Sequence, residues 1–192
     1  MAKRIVILGA GISGHVAASH LRRKLGKEHE VVVVSPNSNY QWIPSNIWVG
    51  VGRMKSKEIL FPLLPLYKKK NIGFKQAKVV SFHPEGDANE PTPYVMVEYV
   101  AGLEASKQEK VTYDYLINGT GPKLAFELTE GLNPGTNKAY SVCTYMHAEH
   151  AWQGLEALIA EMKAGKKAKI LIGTGHAKAT CQGAAFEYIL NV

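Results

Sequence analysis

The chain has 192 residues, 46% of them apolar, so it can bury a hydrophobic core. It is too short for two complete domains of about 100–150 residues joined by a third. Its two cysteines exclude a disulfide framework, and no run approaches the roughly 20 apolar residues of a transmembrane helix. The net charge of +7 favours an anionic membrane surface as partner. Nucleic acid is not expected, because Lys68, Lys69 and Lys70 close a predicted helix, whose dipole favours cations there, and no aromatic residues alternate with them.

The N-terminal segment predicts a nucleotide-binding strand, turn and helix. It reads KRIVILGAGISGHVAASHLRRKL, with an apolar strand at residues 5–8 and glycines spaced G-x-G-x-x-G before a helical pattern. Gly9 permits the tight turn, Gly11 lets a pyrophosphate approach the backbone, and Gly14 lets the helix pack on the strand. The helix N-terminus then binds the phosphates of a dinucleotide.

The second predicted strand, residues 30–35 (EVVVVS), is an unbroken apolar run, as expected for a strand covered on both faces. The fingerprint usually has an Asp or Glu at this end to hold a ribose hydroxyl. Ser35 stands there instead and can still make one hydrogen bond. The missing carboxylate disfavours a plain NAD dehydrogenase.

Two further regions complete the predicted nucleotide domain. Residues 39–52 (NYQWIPSNIWVGVG) have no periodicity and are expected to form neither a regular helix nor a regular strand. A functional loop and a loop packed on the core both remain open. Strands near 78–83, 94–100 and 110–113 predict an inserted antiparallel meander. A buried strand at 115–118 then ends in the turn Gly119-Thr120-Gly121-Pro122, which brings the backbone back to the dinucleotide.

The C-terminal quarter predicts a helix over residues 144–164 and then a strand–turn–helix. His147 and His150 share a face of the first helix, but no metal site is expected, because zinc needs further ligands with good geometry. In KAKILIGTGHAKATCQGAAFEY, a strand at 170–172 and a helix at 179–190 place Cys181 in the first helical turn. The helix dipole favours a reactive thiolate there, with His176 in the preceding turn. The alternative is a small buried apolar residue.

Five segments in this order resemble sulfide:quinone oxidoreductases, the FAD-dependent branch of the two-dinucleotide-fold disulfide reductases. They are GAGISG, YQWIPSNIWVGVG, YDYLINGTGPKLAFE, SVCTYMHAEHA and ATCQGAAFEY. The likeness extends through nearly the whole chain. The segments around Pro44, Gly121 and Cys181 are the specific ones, since G-x-G-x-x-G alone fits many flavoenzymes and dehydrogenases.

The resemblance implies FAD as the cofactor and assigns residues to it. These are Gly9, Gly11, Ser13 and Gly14 at the pyrophosphate, Ser35 near the adenosine ribose, Val79 near the adenine, Pro44 and Ser45 on the flavin side, and Thr120 and Gly121 in the family's A-T-G turn, here G-T-G. It also implies that Cys181 is the redox cysteine that attacks or carries sulfide sulfur beside the flavin. Cys143 resembles an auxiliary cysteine linked to flavin attachment or sulfur handling.

The chain departs from the family pattern at three places. Gly119 replaces an alanine. Lys178 stands where a third fingerprint glycine would fall in the second turn, so a second nucleotide site is expected to be unused, which suits electron transfer to quinone. The chain ends at Val192, whereas the resemblance implies a second redox cysteine, a quinone pocket and a membrane-docking region beyond it. An N-terminal fragment is therefore expected.

The resulting prediction is an α/β protein. Residues 1–143 form a Rossmann-like FAD-binding domain with a meander at about 77–113, and residues 144–192 form a connecting helix and the start of a second, truncated Rossmann-like domain. The implied function is oxidation of sulfide to sulfur or polysulfide through FAD to a membrane quinone. A cytoplasmic chain, or one peripheral on the inner membrane, is expected because no export signal precedes the first strand. A homo-oligomer is left open.

Three alternatives remain. A flavocytochrome-type sulfide dehydrogenase is disfavoured by the missing export signal. A type II NADH dehydrogenase is disfavoured because Lys178 and Cys181 stand where a second nucleotide fingerprint is needed. A non-catalytic module that binds FAD or another nucleotide is the alternative of a different class.

Overall fold

The computed structural model describes residues 1–136, 139–176, 178–179 and 181–192. They pack as two compact units, each built from two separate stretches of sequence. The first consists of Met1–Tyr40 and Pro62–Pro122, and the second of Gln41–Phe61 and Lys123–Val192. These units do not follow the domain boundary predicted after residue 143, which stays a prediction.

The regular elements of the described residues alternate between strands and helices. The strands are β1 (Arg4–Leu8), β2 (Glu30–Val34), β3 (Asn39–Gln41), β4 (Leu60–Pro62), β5 (Gly73–Lys75), β6 (Ala77–His83), β7 (Tyr94–Tyr99), β8 (Gln108–Thr112) and β9 (Tyr115–Asn118). The α-helices are α1 (Ile12–Lys24), α2 (Asn46–Gly50), α3 (Leu63–Lys69), α4 (Tyr145–Lys163) and α5 (Gly183–Ile189). β3 and β4 pair with each other in a separate sheet.

A parallel sheet of order β5-β2-β1-β9 forms the centre of the first unit. On one of its faces, helices α1 and α3 bury Ala18, Leu63 and Tyr67 against alternate residues of β1 and β2. The opposite face packs against the antiparallel sheet β6-β7-β8, which contributes Val95 and Val97. Both faces of β1 and β2 are therefore covered, which explains their unbroken apolar sequences.

These elements confirm the predicted α/β class. They also confirm the strands predicted at 5–8, 30–35 and 115–118, the antiparallel meander and the long helix of the C-terminal quarter.

The long helix α4 begins directly after Thr144, whose hydroxyl accepts a hydrogen bond from the backbone N–H of His147 at 3.2 Å. This is the N-cap geometry that satisfies a free N–H of the first helical turn.

The prediction that residues 39–52 contain no regular element is wrong. The segment holds β3, a 3-10 turn at Ile43–Ser45 and the short helix α2. Each piece spans only three to five residues, which is too short to show periodicity in the sequence. Pro44 stands in the first positions of the 3-10 turn, where its missing N–H costs no hydrogen bond.

The predicted C-terminal strand–turn–helix is wrong in two respects. Residues 170–172 form no strand, and Leu171 is 95% exposed. An apolar run becomes a strand only when neighbours satisfy its backbone groups, and no strand among the described residues pairs with it. The helix begins at Gly183 with Gln182 as its N-cap, so Cys181 precedes the helix instead of lying in its first turn. Within this prediction, Ala177 and Thr180 lie outside the described residues.

Candidate cofactor site and cysteine segments

The glycine turn of the first unit is a close contact of three backbone segments. Gly9 follows β1 with φ +89°, and a Cβ atom added to it would lie 2.8 Å from the carbonyl carbon of Gly119. A Cβ atom on Gly14 would lie 2.9 Å from the carbonyl carbon of Gly9. The turn after β9, the turn after β1 and the start of α1 can approach this closely only because all three positions are glycine.

Gly11 differs from these glycines because, among the described residues, no atom outside its chain neighbours lies within 4 Å of the place its Cβ would occupy. It is the N-cap of α1, where no side chain caps the helix and no acidic residue lies in the first turn. The first N–H groups of a helix have no intrahelical partner. An exposed and uncapped N-terminus beside open space fits an anion such as a pyrophosphate, and exposed Ser13 lies in the same turn.

Ser35 and the turn after β9 lie at the same carboxyl edge of the parallel sheet as the glycine turn. The Gly9 N–H donates to the Val34 carbonyl at 2.8 Å, which joins the turns after β1 and β2. Ser35 is only 2% exposed, and its hydroxyl oxygen accepts from the Asn37 N–H at 3.3 Å. The hydroxyl proton is left for one further acceptor. The ribose contact of Ser35 stays a prediction.

Asn118 organises the turn after β9, which the sequence reasoning missed. Its Oδ1 accepts from the backbone N–H of Thr120 at 3.2 Å and from the Thr120 hydroxyl at 2.8 Å. Gly121 follows with φ +75° and open space around its Cβ position. An asparagine that ends a strand before Gly-Thr-Gly is typical of a turn held by a side chain, so this signal was present in the sequence.

Val79 lies in β6, where it pairs with Val97 next to an irregularity in the strand register. It is partly buried against the core formed by the parallel sheet and the meander.

The meander is fixed to β5 by Lys75, whose ammonium group donates to both carboxylate oxygens of Glu109 at 3.0 and 2.9 Å. Burial opposes the charge of Lys75, but its bonds to Glu109 and Tyr99 outweigh burial and raise the Lys75 pKa.

His15 in α1 is the titratable residue closest in sequence to the glycine turn. Its ring stacks on that of Tyr67 at 5.7 Å, and its Nδ1 lies 3.2 Å from the Tyr67 hydroxyl. Burial, together with the nearby Lys70 cation, lowers the pKa of His15. Burial also raises the pKa of Tyr67 to about 12, so the hydroxyl remains protonated, and the imidazole tautomer sets which of the two groups donates.

In the second unit, one buried asparagine links the segment of Pro44 and Ser45 to the segment of Cys143. Asn46 is 1% exposed and donates from Nδ2 to the Val142 carbonyl at 2.9 Å. Pro44 is exposed and Ser45 half-buried, immediately before Asn46, and Cys143 immediately follows Val142. The structure therefore places these three predicted site residues on two segments that share a hydrogen bond.

Cys143 and Cys181 are both free and exposed thiols, so the alternative that Cys181 is a buried apolar residue is wrong. Cys181 lies two residues before α5. The His176 ring nitrogen Nδ1 accepts from the Lys178 N–H at 3.0 Å, so this nitrogen is used within the turn. A direct role of His176 toward the thiol stays a prediction.

The two histidines of α4, His147 and His150, both contact aromatic rings. His147 contacts Phe126 edge-on, and burial followed by the charge of His150 lowers its pKa. Within the ranges that the structure describes, no three His, Cys, Asp or Glu side chains come together as metal ligands. The described helices also include none with the length and apolar character needed to cross a bilayer.

Comparison with known proteins defines the class of the chain. The family of pyridine nucleotide-disulphide oxidoreductases matches residues 3–177, and the chain belongs to this family. FAD is the cofactor of the family. The residues at the glycine turn fit it, because the uncapped end of α1 and the open space at Gly11 would receive the pyrophosphate.

Within this class, the chain is similar to sulfide-quinone reductase from Aquifex aeolicus (strain VF5). The two are 30% identical over 190 residues, which is 99% of this chain and 38% of the relative. The mitochondrial sulfide:quinone oxidoreductase of Dictyostelium discoideum is 27% identical over 160 residues, covering 81% of this chain and 31% of that protein. The chain thus spans less than two-fifths of the length of either relative.

Solved structures show the same fold. The sulfide:quinone oxidoreductase from Aquifex aeolicus superposes with a TM-score of 0.74 at 26% identity, over 98% of this chain and 38% of that one. NDH2 from Plasmodium falciparum in complex with NADH gives a TM-score of 0.63 at 19% identity, over 85% of this chain and 30% of that one. The second match concerns the fold alone.

Proposed function

We propose that the protein to which this chain belongs oxidises sulfide and passes the electrons through FAD to a quinone. The observation that carries the proposal is the 30% identity to a sulfide-quinone reductase over 99% of this chain. That span includes both cysteine segments and the glycine turn. Because quinones reside in membranes, we place the protein at the inner membrane face, and its net charge of +7 favours an anionic surface.

The overall reaction takes two electrons and one proton from HS⁻ and leaves zero-valent sulfur. The quinone takes up these two electrons, that proton and one further proton, and becomes the quinol. FAD, when bound, accepts an electron pair from sulfur and returns it to a second acceptor. The chain itself must hold the sulfur atom while the electron pair leaves, and this is the role we assign to its cysteines.

Cys181 is the proposed sulfur carrier because it is a free and exposed thiol in the segment that resembles the family's redox cysteine. HS⁻ attacks the sulfur of oxidised Cys181 and forms the S–S bond of a persulfide. The partner in this oxidised form is the second redox cysteine that the resemblance implies outside this chain. Its bond to Cys181 breaks, and it leaves as a thiolate with the bonding pair, which FAD, when bound, would accept. Cys143 has the proposed auxiliary role of receiving or passing on sulfur.

In the first unit, the proposed FAD contacts follow the glycine turn. Gly11 and Ser13 bind the pyrophosphate at the uncapped end of α1, with Gly9 and Gly14 fixing the turn. The remaining contacts follow the resemblance. They are Ser35 at the ribose, Val79 at the adenine, and Thr120 and Gly121 in the turn after β9. The resemblance also assigns Pro44 and Ser45, which belong to the second unit, to the flavin.

The second candidate is oxidation of NADH by a quinone. An external alternative NAD(P)H-ubiquinone oxidoreductase of Arabidopsis thaliana is 28% identical over 121 residues, which is 63% of this chain. Lys178 argues against this candidate, because a side chain stands where a nucleotide fingerprint needs its third glycine.

The test is anaerobic stopped-flow absorbance of the FAD-loaded polypeptide that contains this chain. Sulfide is expected to bleach the flavin band quickly, and NADH at the same concentration is expected to bleach it slowly or not at all. A quinone analogue added afterwards should restore the band. Rapid bleaching by NADH without a response to sulfide would replace the proposal with the second candidate. No flavin bleaching with either donor would reject both oxidoreductase candidates and favour the non-catalytic module that binds FAD or another nucleotide.

A further inference from the structure

Asn46 is a polar side chain enclosed in the core of the second unit, and both ends of its amide are used. Its Oδ1 accepts from the Gln41 side-chain amide at 2.7 Å, and its Nδ2 donates to the Val142 carbonyl at 2.9 Å. A buried amide that lost either bond would leave an unsatisfied polar group. The position therefore requires a side chain that can both donate and accept.

Val142 is held at a second point by packing. A Cβ atom at Gly50 would lie only 2.8 Å from a methyl carbon of Val142, so the end of α2 and this side chain are in close contact. Val142 also packs against the buried cluster of Val49 and Ala148. Its carbonyl and its side chain are thus both fixed against α2 and α4.

Cys143 therefore lies between two fixed points of the chain. Before it, Val142 is held by the Asn46 amide and by packing against Val49 and Ala148, and after it, Thr144 caps α4. The Cys143 N–H donates to the Ser141 hydroxyl at 3.1 Å, while the residue itself stays exposed. An accessible thiol on a fixed backbone suits a group that must meet a reacting sulfur in a defined geometry.

We propose that Asn46 is a positioning residue that holds the backbone of Cys143 beside the Pro44–Ser45 turn, through its bond to the Val142 carbonyl. This inference rests on the proposed function, because it assigns Cys143 a part in sulfur handling. Asn46 itself is buried and acts only through Cys143. Its removal should therefore matter only while the Cys143 thiol is present.

The test compares Asn46→Asp with Gln41→Met in the FAD-loaded polypeptide. Asp keeps the size and the acceptor oxygen but cannot donate to the Val142 carbonyl when ionised. Met at position 41 removes the other hydrogen bond of Asn46 and leaves the bond to Val142. We expect Asn46→Asp to slow sulfide-dependent flavin reduction at saturating sulfide about 10-fold, with unchanged half-saturating sulfide and FAD affinity. Gln41→Met should change that rate less than about 2-fold.

A cycle with Cys143→Ser separates positioning from general stability. In the Cys143→Ser background, Asn46→Asp is expected to cause no further loss, because its route to the reaction is already removed. An equal loss in both backgrounds would overturn the proposal. Asn46→Ala serves as a second variant without a buried charge. If circular dichroism shows that neither variant folds, Asn46 is a stability residue and the proposal is rejected.

A second readout keeps the inference independent of sulfide chemistry. In the Cys181→Ser polypeptide, mass spectrometry of the peptide that contains Cys143 follows its alkylation by a maleimide. Asn46→Asp should raise its alkylation rate through a loosened backbone, and Gln41→Met should leave the rate unchanged. If the wild type does not respond to sulfide, the proposed function fails, while the alkylation rates still decide whether Asn46 holds Cys143. Equal rates in all three proteins would reject that role.

Discussion

Two segments of the chain carry the same pattern, an apolar run followed by G-x-G, but only one of them forms a strand and a tight turn. In RIVILGAG, Val6 and Leu8 are fully buried and β1 pairs with strands on both sides. In KILIGTG, Leu171 is 95% exposed and no strand of the described ranges pairs with the run. The pattern permits a strand, and hydrogen-bonding neighbours make it one.

The glycines of the two segments differ in the same way. In the first segment, a methyl group on Gly14 would collide with the turn at Gly9, so the glycine is required by packing. In the second, a Cβ atom on Gly175 would meet only the end of the Leu132 side chain, at 2.6 Å, and among the described residues nothing beyond its chain neighbours lies within 4 Å of the Cβ position of Gly173. A flexible side chain can move aside, whereas the backbone at Gly9 cannot. The same G-x-G spacing is therefore packed tightly against backbone in the first segment and loosely in the second. Substitutions at these glycines can measure the difference in packing.

The largest expected effect is at Cys181, which follows the second G-x-G segment and lies outside any regular element. The proposed function depends on this one side chain. Cys181→Ser should keep FAD bound but slow sulfide-dependent flavin reduction by roughly three orders of magnitude, because a hydroxyl cannot form the persulfide. Stopped-flow bleaching of the flavin measures this rate. Cys143→Ser is the comparison variant and should lose only part of it. A near wild-type rate in Cys181→Ser would remove Cys181 from the reaction.

The next effect concerns the cofactor and the first segment. Gly11→Val should weaken FAD binding at least about 100-fold, because the valine side chain fills the open space at the end of α1. Fluorescence titration of the apoprotein with FAD gives the affinity. Gly173→Val places the same side chain in open space of the second segment and should leave FAD affinity unchanged. Equal affinities in both variants and the wild type would move the cofactor away from the glycine turn.

A third pair of variants tests packing without any ligand. Gly14→Ala should lower the free energy of unfolding by about 1–3 kcal/mol, because the added methyl group overlaps the backbone at Gly9. Gly183→Ala, in the first position of α5, should leave stability equal or raise it by up to about 1 kcal/mol, since alanine is the better helix former. Urea unfolding followed by circular dichroism measures both. A stable Gly14→Ala protein would contradict the close contact of the three segments.

The same comparison explains how far the sequence predicted the molecule. The strands β1, β2 and β9, the meander and the long helix α4 were predicted because burial leaves a periodic or continuous apolar pattern. The edge strand β5 was not predicted, because its three residues are too few to show such a pattern. The glycine turn was predicted because its spacing has a mechanical reason at each position. That residues 170–172 form no strand was not predicted, because the pairing of a strand depends on residues distant in sequence. Asn46 was missed for a related reason, since its role appears only when Val142, 96 positions away, lies beside it.

The smallest expected effect is a pH dependence of the first unit through His15. Its folded-state pKa is lowered, first by burial and then by Lys70, whereas the unfolded chain has the ordinary value of about 6.5. As the pH falls through that value, the unfolded state takes up a proton that the folded state still excludes. The free energy of unfolding should therefore fall, with a slope of at most about 1.4 kcal/mol per pH unit from this group. The loss stops once the pH is below the folded-state pKa.

His15→Gln removes the titration but keeps a side chain that can donate to or accept from the Tyr67 hydroxyl. Its unfolding energy should therefore fall less between pH 7.5 and pH 5 than that of the wild type. His20→Gln, the same substitution at an exposed position of the same helix, is the matched control. Because the lowered pKa of His147 acts in the same direction, part of the fall should persist in His15→Gln. If His15→Gln and the wild type lose stability in parallel over this range, the imidazole does not couple protonation to the packing of α1 on α3.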